Sequence, residues 1–323
     1  MSLMTLRASQ GHPEQSRGVT DQRWPELPDA WRDTYATLHM WSQVVGKVAL
    51  ATAPPLNHSW GIALHLTARG LSTLPLPHSG RTFTIEFDFI DHHLHIATSD
   101  GMRRSLDLAP RTVADFHAAV MGTLKEMQLP VHIWPMPVEI PNPIRFDADT
   151  IHRSYDPAYA NRFWRILVQC ERVFSNARCS FVGKSSPVHF FWGSFDLAVT
   201  RFSGKPAPPR DGPAFMQEAY SHEVISHGFW PGSGPSTVYG PGPVDEPSFY
   251  AYAAPAPPGF EKIPVEPSAA YYHRELAEFI LPYNAVRTAG DPDRALRSFV
   301  DSTYTHAADL AGWDRAALDR TGA

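Results

Sequence analysis

Imidazole and carboxylate groups brought together can pass a proton or hold a metal ion. This chain offers such groups at His189, Asp196, His222 and Glu223, which form the candidate catalytic set. His189, His222, Glu223 and His273 lie on three separate segments, as ligands of mononuclear sites commonly do, with zinc or iron as the candidate ions. Arg201 supplies a guanidinium suited to anchoring an anionic substrate group. Trp192, Phe229, Trp230 and Tyr250 supply aromatic walls of the kind that line small-ligand sites. Other constellations are missing. Gly193-Ser194-Phe195-Asp196 lacks the second glycine of a nucleophile elbow, and Gly183-Lys184-Ser185 lacks the upstream glycine of a phosphate loop. His222-Glu223 is followed by His227, one residue too late for a zinc motif on one helical face.

A strand and a loop must position these groups. Residues 189–201 read as one strand. Alternation puts His189, Phe191, Phe195, Leu197, Val199 and Arg201 on one side, and Trp192, Ser194, Asp196, Ala198 and Thr200 on the other. A carboxylate in mid-strand needs partners, so Asp196 is either a clasp within the sheet or a group facing a polar pocket. Residues 204–246 are rich in proline and glycine and read as a lid-like insertion. Its Phe229-Trp230 pair is expected to dock near the strand while 232–243 stays mobile. A lid folding back brings His222 and Glu223 over His189 and Asp196.

Periodicity organises the rest. Trp31, Tyr35, Leu38 and Trp41 predict a helix over 29–44, with strands at 46–52 and 60–68. Phe83, Ile85, Phe87 and Phe89 alternate with polar residues as in a half-buried strand, and strands follow at 94–98 and 103–108. Val113, Phe116, Val120 and Leu124 mark a helix at 112–127, before an extended, proline-studded stretch at 130–143. The order then restarts: a helix from Trp164-Arg165, strands at 248–254 and 271–281, and a helix at 291–308. Trp31 and Trp60-Gly61 are spaced much as Trp164 and Trp192-Gly193 are, with Arg69 and Arg201 nine residues beyond each Trp-Gly tryptophan. This punctuation predicts an internal duplication. The expected fold is α+β: two pseudo-repeated helix–antiparallel-strands–helix modules forming one joint sheet or a barrel-like core. The expected divisions are a disordered tail (1–23), a first repeat (24–140), a proline-rich linker (141–158) and a second repeat (159–316) carrying the insertion.

Composition narrows the function. A net charge of −5 with 19% charged residues leaves no basic surplus for nucleic acid. Two cysteines cannot build a disulfide framework or a four-thiolate zinc site. The first 23 residues lack the apolar run of an export signal, and no eighteen-residue apolar stretch occurs, so a cytoplasmic protein without membrane partners is expected.

Longer motifs add one resemblance. Pro187-Val188-His189-Phe190-Phe191-Trp192-Gly193-Ser194-Phe195-Asp196, Thr200-Arg201-Phe202, Ile133-Trp134-Pro135-Met136-Pro137-Val138-Glu139-Ile140-Pro141, Gly46-Lys47-Val48, Ser221-His222-Glu223-Val224 and Gly228-Phe229-Trp230-Pro231-Gly232 carry it. Over residues 24–316 the chain resembles a bacterial family catalogued only as a domain of unknown function. That resemblance implies a full-length member and brings no activity, cofactor or catalytic residue. From the residues themselves, the expected function is an enzyme acting on a small polar or anionic molecule in an aromatic-lined pocket of the second repeat, with metal dependence open. The alternative is a non-catalytic protein binding a small ligand in the same pocket.

Overall fold

The computed structural model describes residues 23–212, 214–232 and 244–320. The expected tail, save Arg23, and the expected mobile stretch from 233 to 243 lie outside the described residues.

The first module opens with a 3-10 turn, Asp29–Trp31, running into α1, Arg32–Thr52. Every residue of α1 from Thr34 to Ala49 is buried. Residues 46–52, expected as a strand, continue the helix, and at Val48 burial on all sides overrides the weak helical preference of a β-branched side chain. A second 3-10 segment, Asn57–Ile62, stands where a strand is expected, leaving only β1, His65–Leu66. β2 (Gly70–Ser72), β3 (Leu76–His78), β4 (Arg81–Asp88), β5 (His93–Thr98) and β6 (Arg103–Asp107) complete an antiparallel sheet ordered β1-β2-β4-β5-β6, with β3 also on β4. The alternation expected in β4 is borne out: Phe83, Ile85 and Phe87 are buried, with Leu94 and Ile96 of β5. This face packs on α2, Val113–Glu126, whose first turn is capped by Thr112 accepting from the Asp115 N–H. Phe116 stacks on Trp41 of α1 at 4.6 Å.

α3, Pro157–Arg178, begins the second module. It starts seven residues before Trp164 because Asp156 caps it and Pro157 occupies its first turn. The expected strand 189–201 is instead a hairpin: β7, His189–Phe191, turns through Trp192-Gly193-Ser194-Phe195 into β8, Asp196–Pro206. Most of the described residues of the expected lid are regular structure. After the short α4, Ala214–Ala219, residues His222–Trp230 form β9, an inner strand. Its glycine-rich flanks suggested a loop, but Val224, Ile225 and Phe229 bury their side chains in the sheet. β10 (Ser248–Ala254), β11 (Tyr271–His273) and β12 (Glu278–Pro282) give the antiparallel order β11-β12-β10-β9-β8-β7. α5 (Tyr283–Arg287), α6 (Pro292–Leu310) and α7 (Arg315–Leu318) end the chain. No helix among the described residues is long and apolar enough to cross a membrane.

The fold is therefore α+β, but the described residues form two antiparallel sheets, neither of which closes into a barrel. They touch edge to edge where Leu64 and Phe190 exchange backbone hydrogen bonds of 2.9 and 2.7 Å. Both halves run helix, sheet, helix, yet the landmarks of the expected duplication do not correspond. Trp60 lies in a 3-10 segment and Trp192 in a hairpin turn. Arg69 is a half-exposed partner of Asp88 and Asp91, whereas Arg201 is buried.

Trp192 clamps the modules. Its Nε1 donates to the Ile62 carbonyl at 2.9 Å, and its ring lies so close to Gly46 of α1 that a Cβ there would be 2.1 Å away. Gly46→Ala is therefore expected to cost about 3 kcal/mol, the upper end of ordinary overpacking. The urea midpoint measures it, and a double variant with Trp192→Ala should lose less than the two single costs summed, since the clash has then gone. Strict additivity would contradict the contact.

Candidate functional site

The register of the second sheet sorts its side chains into two unlike faces. Leu197, Val199 and Arg201 of β8, Ile225, His227 and Phe229 of β9, and Phe249 and Ala251 of β10 share the face that packs on α3 and α6. The other face carries Asp196, Ala198 and Thr200, then Ser226 and Gly228, then Tyr250 and Tyr252, with Glu278 on β12.

Asp196 is the centre of this polar face. It is buried and accepts hydrogen bonds from the Ser194 and Tyr250 hydroxyls. Tyr250 can lie across β9 because residue 228 is glycine: a Cβ there would be 2.3 Å from the phenol ring. Thr200 and Ser226 hydroxyls are bonded at 2.9 Å, and the Tyr252 and Tyr220 hydroxyls at 3.2 Å. Glu139 enters from the extended segment between the modules. Much of its side chain is exposed, but its carboxyl end turns in against Gly193, where a Cβ would be 2.6 Å from Oε1. Gln43 of α1 fixes that segment, donating to the Val138 carbonyl at 2.9 Å and accepting from its N–H at 2.8 Å. His39 of α1 bonds the Gly193 carbonyl at 2.8 Å, so one helix positions both Glu139 and the turn before Asp196.

The three carboxyl groups interact electrostatically. Burial pushes Asp196 above the usual carboxylate range, against the two hydroxyls that favour its charge. Burial and the Asp196 charge raise Glu139 to about 6 and Glu278 to about 7. Burial, then the Asp196 charge, also drives the Tyr250 phenol upward. Among the described residues, no basic side chain contributes to holding any of the three carboxyls ionised. Backbone strain adjoins each: Glu139 itself, Phe195 and Ala277 hold left-handed φ values of 58°, 60° and 57° without being glycine.

Of the expected site residues, Asp196 and Tyr250 are bonded here, and Trp230 borders the face at the end of β9. The hairpin puts His189 opposite Ala198 and so on the same face as Asp196, not the opposite one. His222 shares that face but pairs with Pro206, at the far end of β9. Eight residues separate it from Trp230, roughly 27 Å of strand, so His222 and Asp196 do not line one cavity. It lies beside His58, with ring centres 6.1 Å apart. Glu223 points to the other face, as alternation requires. His273 is on the edge strand β11, five strands from His189. The expected metal set is thus dispersed, and no group of three or more His, Cys, Asp or Glu among the described residues is placed to hold an ion. Phe229 is core, and Trp192 is the inter-module clamp. Arg201 is on the helix side: it donates to the Ala177 carbonyl at 2.7 Å, near the end of α3, and stacks on Tyr304 at 4.2 Å. It is not an anion anchor on the polar face.

Glu139, Glu278, Tyr252, Ser194 and Ser226 are the residues that sequence reasoning missed. The one local signal was Phe249-Tyr250-Ala251-Tyr252-Ala253, which alternates phenols with apolar or small residues and predicts a phenol-lined face.

These shifts make stability depend on pH. A carboxyl whose folded pKa exceeds its unfolded one keeps its proton longer in the native state, so stability is greatest below the unfolded value and falls as pH rises to the folded one. For Glu278 that window runs from 4.5 to about 7. Glu278→Gln is expected to be more stable than the parent at pH 8, by on the order of 2 kcal/mol, and to flatten the decline across that window. Denaturant titrations from pH 4 to 8 measure this; an unchanged slope would show that Glu278 is not held protonated.

Searches of curated proteins and of solved structures return no match. A family model does match, over residues 24–320, a span that takes in both modules and every group of the polar face. The chain belongs to that family, the family of unknown function DUF5996.

Proposed function

We propose that the protein is an enzyme that acts on a small polar molecule, uncharged or cationic, by general acid–base catalysis on the polar face of the second sheet. The observation that carries this reading is Asp196, held by Ser194 and Tyr250 and coupled to two further carboxyls with no basic partner among the described residues. Such an arrangement costs stability, and uncompensated carboxyls are commonly kept where chemistry needs them. Glu278, at about 7, is suited to both giving and taking a proton near neutral pH. Asp196 and Tyr250 orient the substrate through hydroxyl and carboxylate hydrogen bonds, and Glu139 closes the face from the side of the first module. An anionic substrate is disfavoured, because three carboxyls face it and Arg201 does not.

The test is a thermal-shift screen with sugars and polyols, primary amines, and carboxylic acids of matched size, with compounds that bind then followed by NMR for turnover. Neutral or cationic compounds should stabilise the protein, and Tyr250→Phe should weaken that binding by about tenfold, the worth of one hydrogen bond to a charged group. Glu278→Gln should lower turnover by roughly 10²–10⁴ while the protein stays folded. Stabilisation by the acids alone would overturn the assignment. Binding without turnover of any compound would make the protein a non-catalytic receptor using the same face.

A further inference from the structure

The seam between the two sheets carries a second constellation. Leu64 and Phe190 exchange both backbone hydrogen bonds there. One residue along, this antiparallel register sets His65 of β1 directly opposite His189 of β7, as a non-hydrogen-bonded pair, in which facing side chains approach most closely. The two rings stand 5.9 Å apart, centre to centre, at 70°. His189 is only 1% exposed, whereas His65 is half-buried and leaves an approach from solvent.

His65 Nε2 and His189 Nδ1 are both buried and have no hydrogen-bond partner among the described residues. Buried polar atoms left without partners are costly and call for an explanation. Burial disfavours the charged form of both imidazoles: His189 falls to about 3, with His65 a smaller second cause, and His65 is lowered as well. Neutral imidazole is the form that ligates metals. The walls are aromatic, Phe191 at 4.6 Å and Trp60 at 6.4 Å from the His189 ring.

We propose that His65 and His189 together bind one copper(I) ion. Imidazole suits copper, and a monovalent d¹⁰ ion is satisfied by two nearly opposed nitrogen ligands. A dication would bring an extra charge into an aromatic corner to which neither residue adds a carboxylate, and burying uncompensated charge is expensive. The spacing also fits: two metal–nitrogen bonds of about 2 Å each, with the ring radii added, place the ring centres roughly 6 Å apart. Zinc is the poorer fit, because its four-coordinate sites draw on three or four protein ligands.

The test is an anaerobic titration of tag-free, full-length protein with copper(I) in competition with a chromophoric chelator. The parent protein should retain one equivalent, with an X-ray absorption spectrum of two nitrogen neighbours and no sulfur. His65→Ala should weaken retention at least a hundredfold. His189→Ala removes a buried ring and is expected to cost stability, so the half-buried His65 is the deciding substitution. The half-buried pair His93 and His95 on β5, with ring centres 5.6 Å apart, is the control: replacing both with alanine should leave the equivalent in place. Loss of copper from that control, retention by His65→Ala, or failure of the parent to compete with the chelator would each overturn the assignment.

Discussion

The indole of Trp192 lying flat on Gly46 is the contact on which the arrangement of the molecule depends. Only a residue without a Cβ lets the hairpin turn approach α1 so closely, and from that approach the rest follows. Trp192 reaches the Ile62 carbonyl of the first module, His39 reaches the Gly193 carbonyl, and Gln43 holds Val138 from both sides. An all-round buried helix would ordinarily be apolar. α1 instead buries His39 and Gln43 because they hold, through hydrogen bonds, the two segments that deliver Glu139 and Asp196.

Two buried aspartates show how differently the modules treat charge. Asp88 is buried in the first sheet, and that burial raises its pKa. Arg69 and the N–H groups of Asp91 and Ile90 outweigh it, holding the carboxylate at about 2. It is a charged clasp across β2, β4 and the turn that follows. Asp196 is buried more deeply in its surroundings, and among the described residues two hydroxyls and its own backbone N–H answer it but no cation does, so its pKa rises. Desolvation is outweighed at the first aspartate and prevails at the second. The first site is complete within the chain; the second keeps electrostatic demand that a ligand or a proton can meet.

Elements set by local pattern were legible in the sequence. The β4 alternation, the stripe of α2 and the span of β10 all follow from spacing that neighbouring residues enforce. What could not be read depended on contacts distant in sequence. Residues 46–49 are helical because Trp192 and the surrounding core enclose this part of α1, and the helix runs on from there to Thr52. The 189–201 segment bends because Phe195 adopts a left-handed conformation that no local rule assigns to phenylalanine. β9 was hidden by glycine-rich surroundings, although its own alternation of Val224, Ser226 and Gly228 against Ile225, His227 and Phe229 is regular. For the site, Asp196 and Tyr250 were visible as a strand carboxylate and an aromatic. Glu139 and Glu278 were not, because 82 residues of chain separate Asp196 from Glu278 and only sheet order joins them.

Strand parity then explains why the candidates divided as they did. Once β8 begins at Asp196, every second residue follows it to the polar face and every other one goes to α3 and α6. Arg201 must therefore join the helix side, where its guanidinium stacks on Tyr304 and bonds the end of α3. Desolvation there lowers even its pKa to about 10, the mark of a cation kept for packing rather than exposed to a ligand. His227 is sorted in the same way, meeting Thr303 of α6 at 2.8 Å. With Arg201 and His227 drawn behind the sheet by parity, β8 and β9 leave Ala198, Thr200, Ser226 and Gly228 in front, beside Asp196. That division allows tyrosines from β10 to lie over them and three carboxyls to face one another without a counter-charge.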